Sequence, residues 1–313
     1  MREVRQPDGI AFALRDALPW NDFSAIVRAA ETTGYAAVFL PEITGRDAIV
    51  TLGALAGDTR DVLLGSGIVP MGSRTLLLTA MAAATVQERS GGRLVLGLGT
   101  GAAGPGALDR LRETVLGVRA LLGGEPFERK GERLRLSLDP GLPVPVWISA
   151  LGPKAMRLAG EVADGVLLNW CPPERVVFAR ERIAEGAASR GRDPAEIACS
   201  VYVRSWVGED ESAAMPDLKA AAAQYASYPA YARQFDESGL GEEARVAAGA
   251  HRAGRPDDVP ESLVRAVCAV GGTAPERIAA YRAAGADLPV VYPVPVGEPA
   301  ASIERTLSAL APG

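Results

Sequence analysis

The segment Ser149-Ala150-Leu151-Gly152-Pro153-Lys154 carries the residue types best suited to holding an anion. It follows an apolar run at 144–148 and opens a helix that ends before a second apolar run at 165–169. Gly152 lets the backbone approach a ligand without a Cβ in the way. Pro153 suits a first helical position, where its missing N–H costs nothing. The free N–H groups around it and the positive end of the helix dipole together form an anion site. Lys154 adds a full charge, in a chain whose other lysines are Lys130 and Lys219. A phosphate cradle accounts for all of this, and an ordinary helix start with a solvated lysine accounts for it too.

Acid–base chemistry has two candidates, Glu42 and Asp47, both beyond the second predicted strand. In a parallel barrel, active sites sit at that end of the strands. Asp47 fits equally well as the N-cap of the following helix. Arg46 and Arg74 could meet an anionic group or stay solvated. His251 is the one histidine and falls in a helical stretch, where a surface or packing role suits it. So few histidines argue against a metal-dependent hydrolase. Cys171, Cys199 and Cys268 are odd in number and lack metal-ligand spacing, which suits a reducing compartment. Cys171 reads as a small packing residue, and Trp170 beside it as a pocket wall.

The elements that must position these residues alternate along the chain. Predicted strands at 10–14, 36–40, 62–69, 93–99, 144–148, 165–169, 197–203 and 288–292 alternate with helices at 22–33, 47–56, 75–88, 108–122, 174–189, 259–269, 275–284 and 300–310 and with the one that Pro153 opens. Eight strands in this rhythm predict an α/β fold, a (β/α)8 TIM barrel over residues 1–313. An open doubly wound sheet is the rival, weakened because no Gly-x-Gly-x-x-Gly opens the first helix. Two insertions break the rhythm: a hairpin or extended excursion at 123–143, and an Ala-rich helical excursion at about 205–255, before the eighth strand. The second holds Tyr225, Tyr228, Tyr231 and Phe235, placed to line an entrance, form a dimer surface, or pack inside the insertion. A net charge of −5 argues against a nucleic-acid partner. With no membrane-length apolar run and no signal-peptide core at the start, a cytoplasmic protein without membrane attachment is expected.

Several segments in order resemble the luciferase-like superfamily of flavin and deazaflavin oxidoreductases. They are Ala36 to Glu42, Leu64 to Pro70, Ser90 to Gly101 and the Gly152-Pro153-Lys154 turn, the last similar to the branch that uses coenzyme F420. The likeness covers residues 8–205 well and the remainder loosely. It implies a barrel with the cofactor across the C-terminal strand ends and its ring on a bulge in the third strand. In deazaflavin members that bulge holds a non-prolyl cis peptide, which here would fall at Gly67-Ile68. Pro41, Glu42, Gly67, Ile68, Gly99, Thr100, Gly101 and Asn169 would border the ring. Ser149, Ala150, Leu151, Gly152, Pro153 and Lys154 would hold the phosphate. The histidine and glutamate of the sugar-phosphate dehydrogenases are replaced by Ile43 and Ala102, so a proton relay of that kind is not expected. The expected activity is hydride transfer between F420 and a small organic substrate, by a homodimer. The alternatives are an FMN-dependent monooxygenase fed by a flavin reductase, and a barrel that binds a ligand without catalysis.

Overall fold

Each short apolar run becomes one strand of a closed ring, because a parallel strand is covered on both faces and tolerates few polar positions. The computed structural model describes residues 7–15, 18–101 and 104–312. The barrel strands are β1 (Ala11–Ala13), β2 (Ala37–Pro41), β3 (Leu63–Pro70), β4 (Leu94–Gly99), β5 (Val146–Ser149), β6 (Gly165–Asn169), β7 (Ala198–Trp206) and β8 (Leu288–Pro293). Neighbours in sequence pair in parallel, and both β7–β8 and β8–β1 pairings are made, so the sheet closes into the expected TIM barrel.

Helices α1 (Trp20–Thr32), α2 (Ala48–Asp58), α3 (Leu76–Ser90), α4 (Ala107–Leu122), α5 (Pro153–Val162) and α6 (Pro173–Ala188) follow the first six strands. Strand periodicity sorts the core into two shells. On β7, Cys199, Val201 and Val203 face the helices, whereas Ala198 and Tyr202 join Phe39, Trp147, Leu167 and Val290 inside the barrel.

The helical excursion carries α7 (Met215–Ala226), α8 (Pro229–Glu237) and α9 (Gly241–Ala253), followed by α10 (Glu261–Val267), α11 (Ala274–Ala283) and, after β8, α12 (Pro299–Ala309). It starts later than the sequence suggests, because β7 runs on to Trp206. The helix expected at 259–269 stops at Val267, and Cys268–Val270 becomes a strand pairing in parallel with the end of β7. Those residues go extended because the unpaired edge of the over-long β7 offers them ladder hydrogen bonds. The excursion has its own apolar cluster, which includes Trp170, Trp206, Leu218, Phe235, Leu263 and Val270. The first insertion holds a hairpin, Phe127–Arg129 with Glu132–Leu134. No helix among the described residues is long and apolar enough to cross a membrane.

The third strand contains the expected bulge. Its register with β2 passes from Leu40↔Ser66 to Pro41↔Ile68, and with β4 from Gly65↔Val95 to Val69↔Leu98. Both ladders therefore skip one residue on β3. The Ser66 side chain bridges the gap, its Oγ accepting from Gly97 N at 2.8 Å and donating to Gly97 O at 3.0 Å. The peptide at Gly67-Ile68 is trans, as are the other described peptide bonds, so the expected cis bond is not found. Instead, the extra residue and the serine bridge take up the slip. A Cβ on Gly67 would lie 1.8 Å from the Tyr202 hydroxyl, which reaches across the barrel from β7. Gly67→Ala is therefore expected to overpack the barrel and lower stability by about 1–3 kcal/mol. Tyr202→Phe removes the opposing oxygen, so urea unfolding of the double variant should recover most of that loss.

Candidate active site

At the end of β5 the chain turns sharply into α5, whose N-cap Gly152 has extended dihedrals (φ −103°, ψ 165°) and no side-chain cap. Its carbonyl accepts from Ala155 N at 3.0 Å and Met156 N at 3.1 Å. The N–H groups of Leu151, Gly152 and Lys154 donate to no acceptor among the described residues. A Cβ on Gly152 would meet nothing within 4 Å, so the space beside the turn is open. Unused amides at a helix start, beside open space, fit a phosphate.

Arg175, on α6 and 3 % exposed, braces this turn from behind. Its Nη2 donates to Leu151 O at 2.9 Å and to Glu237 Oε2 at 2.7 Å, tying the turn to α8. Lys154 is exposed beside the turn and lines a groove between α4 and α5 with Arg112 and Arg157.

The bulge forms the neighbouring floor. Gly99 leaves room for it: a Cβ there would lie 2.6 Å from Ile68 Cδ1 and 2.8 Å from Ser149 Oγ. Pro41 pairs with Ile68 across the ladder, and the Glu42 N–H donates to Ile68 O at 3.4 Å. Thr100 is half-buried beyond β4, and Gly101 packs toward Pro70. Ala102 lies outside the described residues.

The two acid–base candidates are both engaged. Glu42 Oε2 accepts from Ala48 N at 3.0 Å and lies 3.7 Å from Arg74 Nη2, while Oε1 accepts from Ser73 Oγ at 3.3 Å. Asp47 caps α2 by accepting from Val50 N at 2.9 Å, and it forms an ion pair with Arg74. Arg74 thus locks the β2 and β3 loops together.

Asn169, at the end of β6, joins Tyr231 of the expected tyrosine cluster to Arg204, which with Tyr202 is not prominent in the sequence. Its Oδ1 accepts from Arg204 Nη1 at 2.9 Å, and its Nδ2 donates to Tyr231 Oη at 2.8 Å. Arg204 and Tyr202 are alternate residues of β7, so strand geometry turns both inward. Counting inward positions along Tyr202-Val203-Arg204 would have found them. Tyr202 Oη is buried with no partner among the described residues, and desolvation holds the phenol protonated, well above its ordinary range.

Trp170 follows with φ +52°, a left-handed conformation costly for a bulky side chain. Gln234 of α8 holds it there, Nε2 donating to Asn169 O at 2.9 Å and Trp170 O at 2.8 Å. Tyr225 packs against the Trp170 ring at 5.1 Å and against Tyr231 at 4.9 Å. The tyrosine cluster thus meets the barrel end at β6.

His251 lies exposed in the last turn of α9. Cys171, Cys199 and Cys268 are free and buried, and desolvation pushes the Cys199 and Cys268 thiols up to about 12. None of them is a ready nucleophile. Among the described residues, no His/Cys/Asp/Glu group could hold a metal ion.

Comparison with known proteins bears on this mouth. The chain is 33 % identical over 221 residues to the 5,10-methylenetetrahydromethanopterin reductase of Methanolobus tindarius, covering 66 % of this chain and 67 % of that protein. It is 30 % identical over 234 residues to the F420-dependent glucose-6-phosphate dehydrogenase of Beutenbergia cavernae, covering 65 % and 68 %. Among solved structures, the coenzyme F420 dependent tetrahydromethanopterin reductase of Methanopyrus kandleri superposes with a TM-score of 0.79 over 98 % of both chains, at 21 % identity. An FMN-bound Baeyer-Villiger monooxygenase component from Pseudomonas putida reaches 0.68 over 97 % of this chain and 96 % of its own, at 16 % identity. At such identities the two structures speak for the fold alone. The family profile described as luciferase-like monooxygenase matches residues 7–288. With that match added to the bulged third strand and the open β5 turn, the chain belongs to the luciferase-like monooxygenase family.

Proposed function

We propose that this chain is a coenzyme F420-dependent oxidoreductase, which moves a hydride between the deazaflavin and a small organic substrate at the barrel mouth. The observation that carries the reading is the uncapped start of α5, with its unused Leu151, Gly152 and Lys154 amides. Relatives named for F420 support it. The amides would hold the cofactor phosphate, and Arg175 keeps their turn in place through the Leu151 carbonyl. When bound, the deazaflavin supplies hydride chemistry at a ring carbon. Ile68, Gly99 and Ser149 would give the ring its floor, and Glu42 borders that floor through its N–H contact with Ile68 O. Asp47 acts by position, capping α2 and fixing Arg74. Tyr202 fills the barrel below, and Trp170 with the tyrosines of α7 and α8 shields the β6 side from water. Exclusion of water protects a transferable hydride and strengthens polar contacts in the site.

Fluorescence titration of the apoprotein should show F420 binding more tightly than FMN; tighter binding of FMN would overturn the reading. A second test separates the cradle from the ring site. Gly152 has ordinary extended dihedrals and open space at its Cβ, so Gly152→Asp should fold normally and cap α5. Its carboxylate would occupy the phosphate position and weaken F420 binding by about tenfold or more. Binding of the phosphate-free deazaflavin riboside should stay unchanged. Thermal unfolding should show equal or higher stability.

A further inference from the structure

Arg204 is a buried cation without an anion among the described residues. It keeps only 7 % of its surface accessible, and no carboxylate among the described residues pairs with it. Its one side-chain hydrogen bond to a described residue goes to the neutral Asn169 side chain. Aromatic faces surround it: the guanidinium carbon lies 4.1 Å from the Tyr292 ring centroid, 4.7 Å from Trp170, 5.6 Å from Tyr225 and 5.9 Å from Tyr202. Such faces ease the burial of a cation but do not replace a counter-ion. Nε and Nη2 make no hydrogen bond to a described residue, yet neither is among the fully enclosed polar atoms. A ligand atom can reach them.

The other buried arginines of the barrel differ. Arg93, 8 % exposed, spends its guanidinium on the carbonyls of Ala56, Thr59, Val62 and Ser90, and Arg175 is matched by Glu237. Arg204 alone of these three keeps a fork of donors unspent at the strand ends, on the inward face of β7 and in register with Tyr292 of β8. β7 stands opposite β3 in a ring of eight, so the bulge and Arg204 flank the mouth from facing sides. The phosphate turn lies on a third flank, at β5.

We propose that Arg204 is the receptor for a carboxylate carried by the substrate, with Asn169 fixing the fork and the aromatic cage excluding water. An unspent guanidinium fork matches the two oxygens of a carboxylate. Assigning this anion to the substrate rests on the F420 reading above, because the cofactor phosphate is placed at β5; the anion site itself does not depend on that reading.

The test titrates the apoprotein with acetate, benzoate and inorganic phosphate, and with benzamide as the neutral control, following binding by isothermal titration calorimetry. Wild type should prefer benzoate to benzamide by about tenfold, the scale of a charge-assisted hydrogen bond. Arg204→Met should abolish the preference, and Arg204→Lys should keep part of it. Removing an unmatched buried charge should leave the melting temperature of Arg204→Met unchanged or raised. Should that variant fail to fold, Asn169→Asp supplies a counter-ion beside Nη1 and is expected to abolish benzoate binding while folding normally. No discrimination among the probes by wild type, or a preference that survives Arg204→Met or Asn169→Asp, overturns the proposal. F420 affinity is measured on the same proteins. A change within about twofold between wild type and Arg204→Met supports the substrate assignment, as expected for separate sites. A tenfold loss would move the anion to the cofactor and overturn it. If wild type binds benzoate selectively but not F420, the cofactor reading fails and the carboxylate receptor stands.

Discussion

The mouth of this barrel is organised by one extra residue in β3. Two ladders must both absorb it, and they do so because the Ser66 hydroxyl replaces the missing backbone partner on Gly97 while Gly67 leaves room for the Tyr202 oxygen. Past the slip, Ile68 lies against Gly99 and packs on the inner cluster of the barrel. Small residues on β4 and a long aromatic on β7 are therefore parts of the same device. Changing any one of them asks the others to move.

A second constraint is laid over the first by the helical excursion. Gln234 holds two carbonyls at the end of β6, and Trp170 stays in a left-handed backbone that a free strand end would relax. Strain of this kind persists only where surroundings over-determine it. Here the surroundings are the Gln234 amide of α8 and the tilted Tyr225 ring, so α7 and α8 wall the barrel mouth at β6. The same helix supplies Glu237 to Arg175, which braces the β5 turn. Through these contacts the excursion reaches both β5 and β6.

The electrostatics divide the mouth. Between β2 and β3, Arg74 faces both Glu42 and Asp47, and the two carboxylates also accept from loop and helix N–H groups. At β5 the positive end of α5 has no side-chain cap. On β7 a guanidinium sits among aromatic rings with one neutral partner. Glu42 and Asp47 are engaged in loop contacts, whereas the start of α5 and the Arg204 fork keep donors unspent among the described residues. A site so arranged suits anionic ligands.

Much of the architecture was legible in the residue order. Eight apolar runs alternating with amphipathic helices predict a parallel sheet and favour a barrel over an open sheet, and Gly152-Pro153 marks a helix start; the strand pairings decide closure. Runs and turns of this kind are local, fixed by backbone preferences within a few residues. The bulge at Gly67 was legible only through the family likeness, and its trans peptide was not legible at all. Whether Asp47 caps or catalyses was undecidable from its type, because both roles want the same carboxylate after the same strand; the nearness of Arg74 belongs to the fold. Arg204 and Asn169 stand 35 residues apart, and Tyr231 joins them from a separate insertion. Sequence determined which face of its strand Asn169 and Arg204 each take. Only closure of the ring, which brings β6, β7 and β8 side by side under the excursion, decided that they would meet.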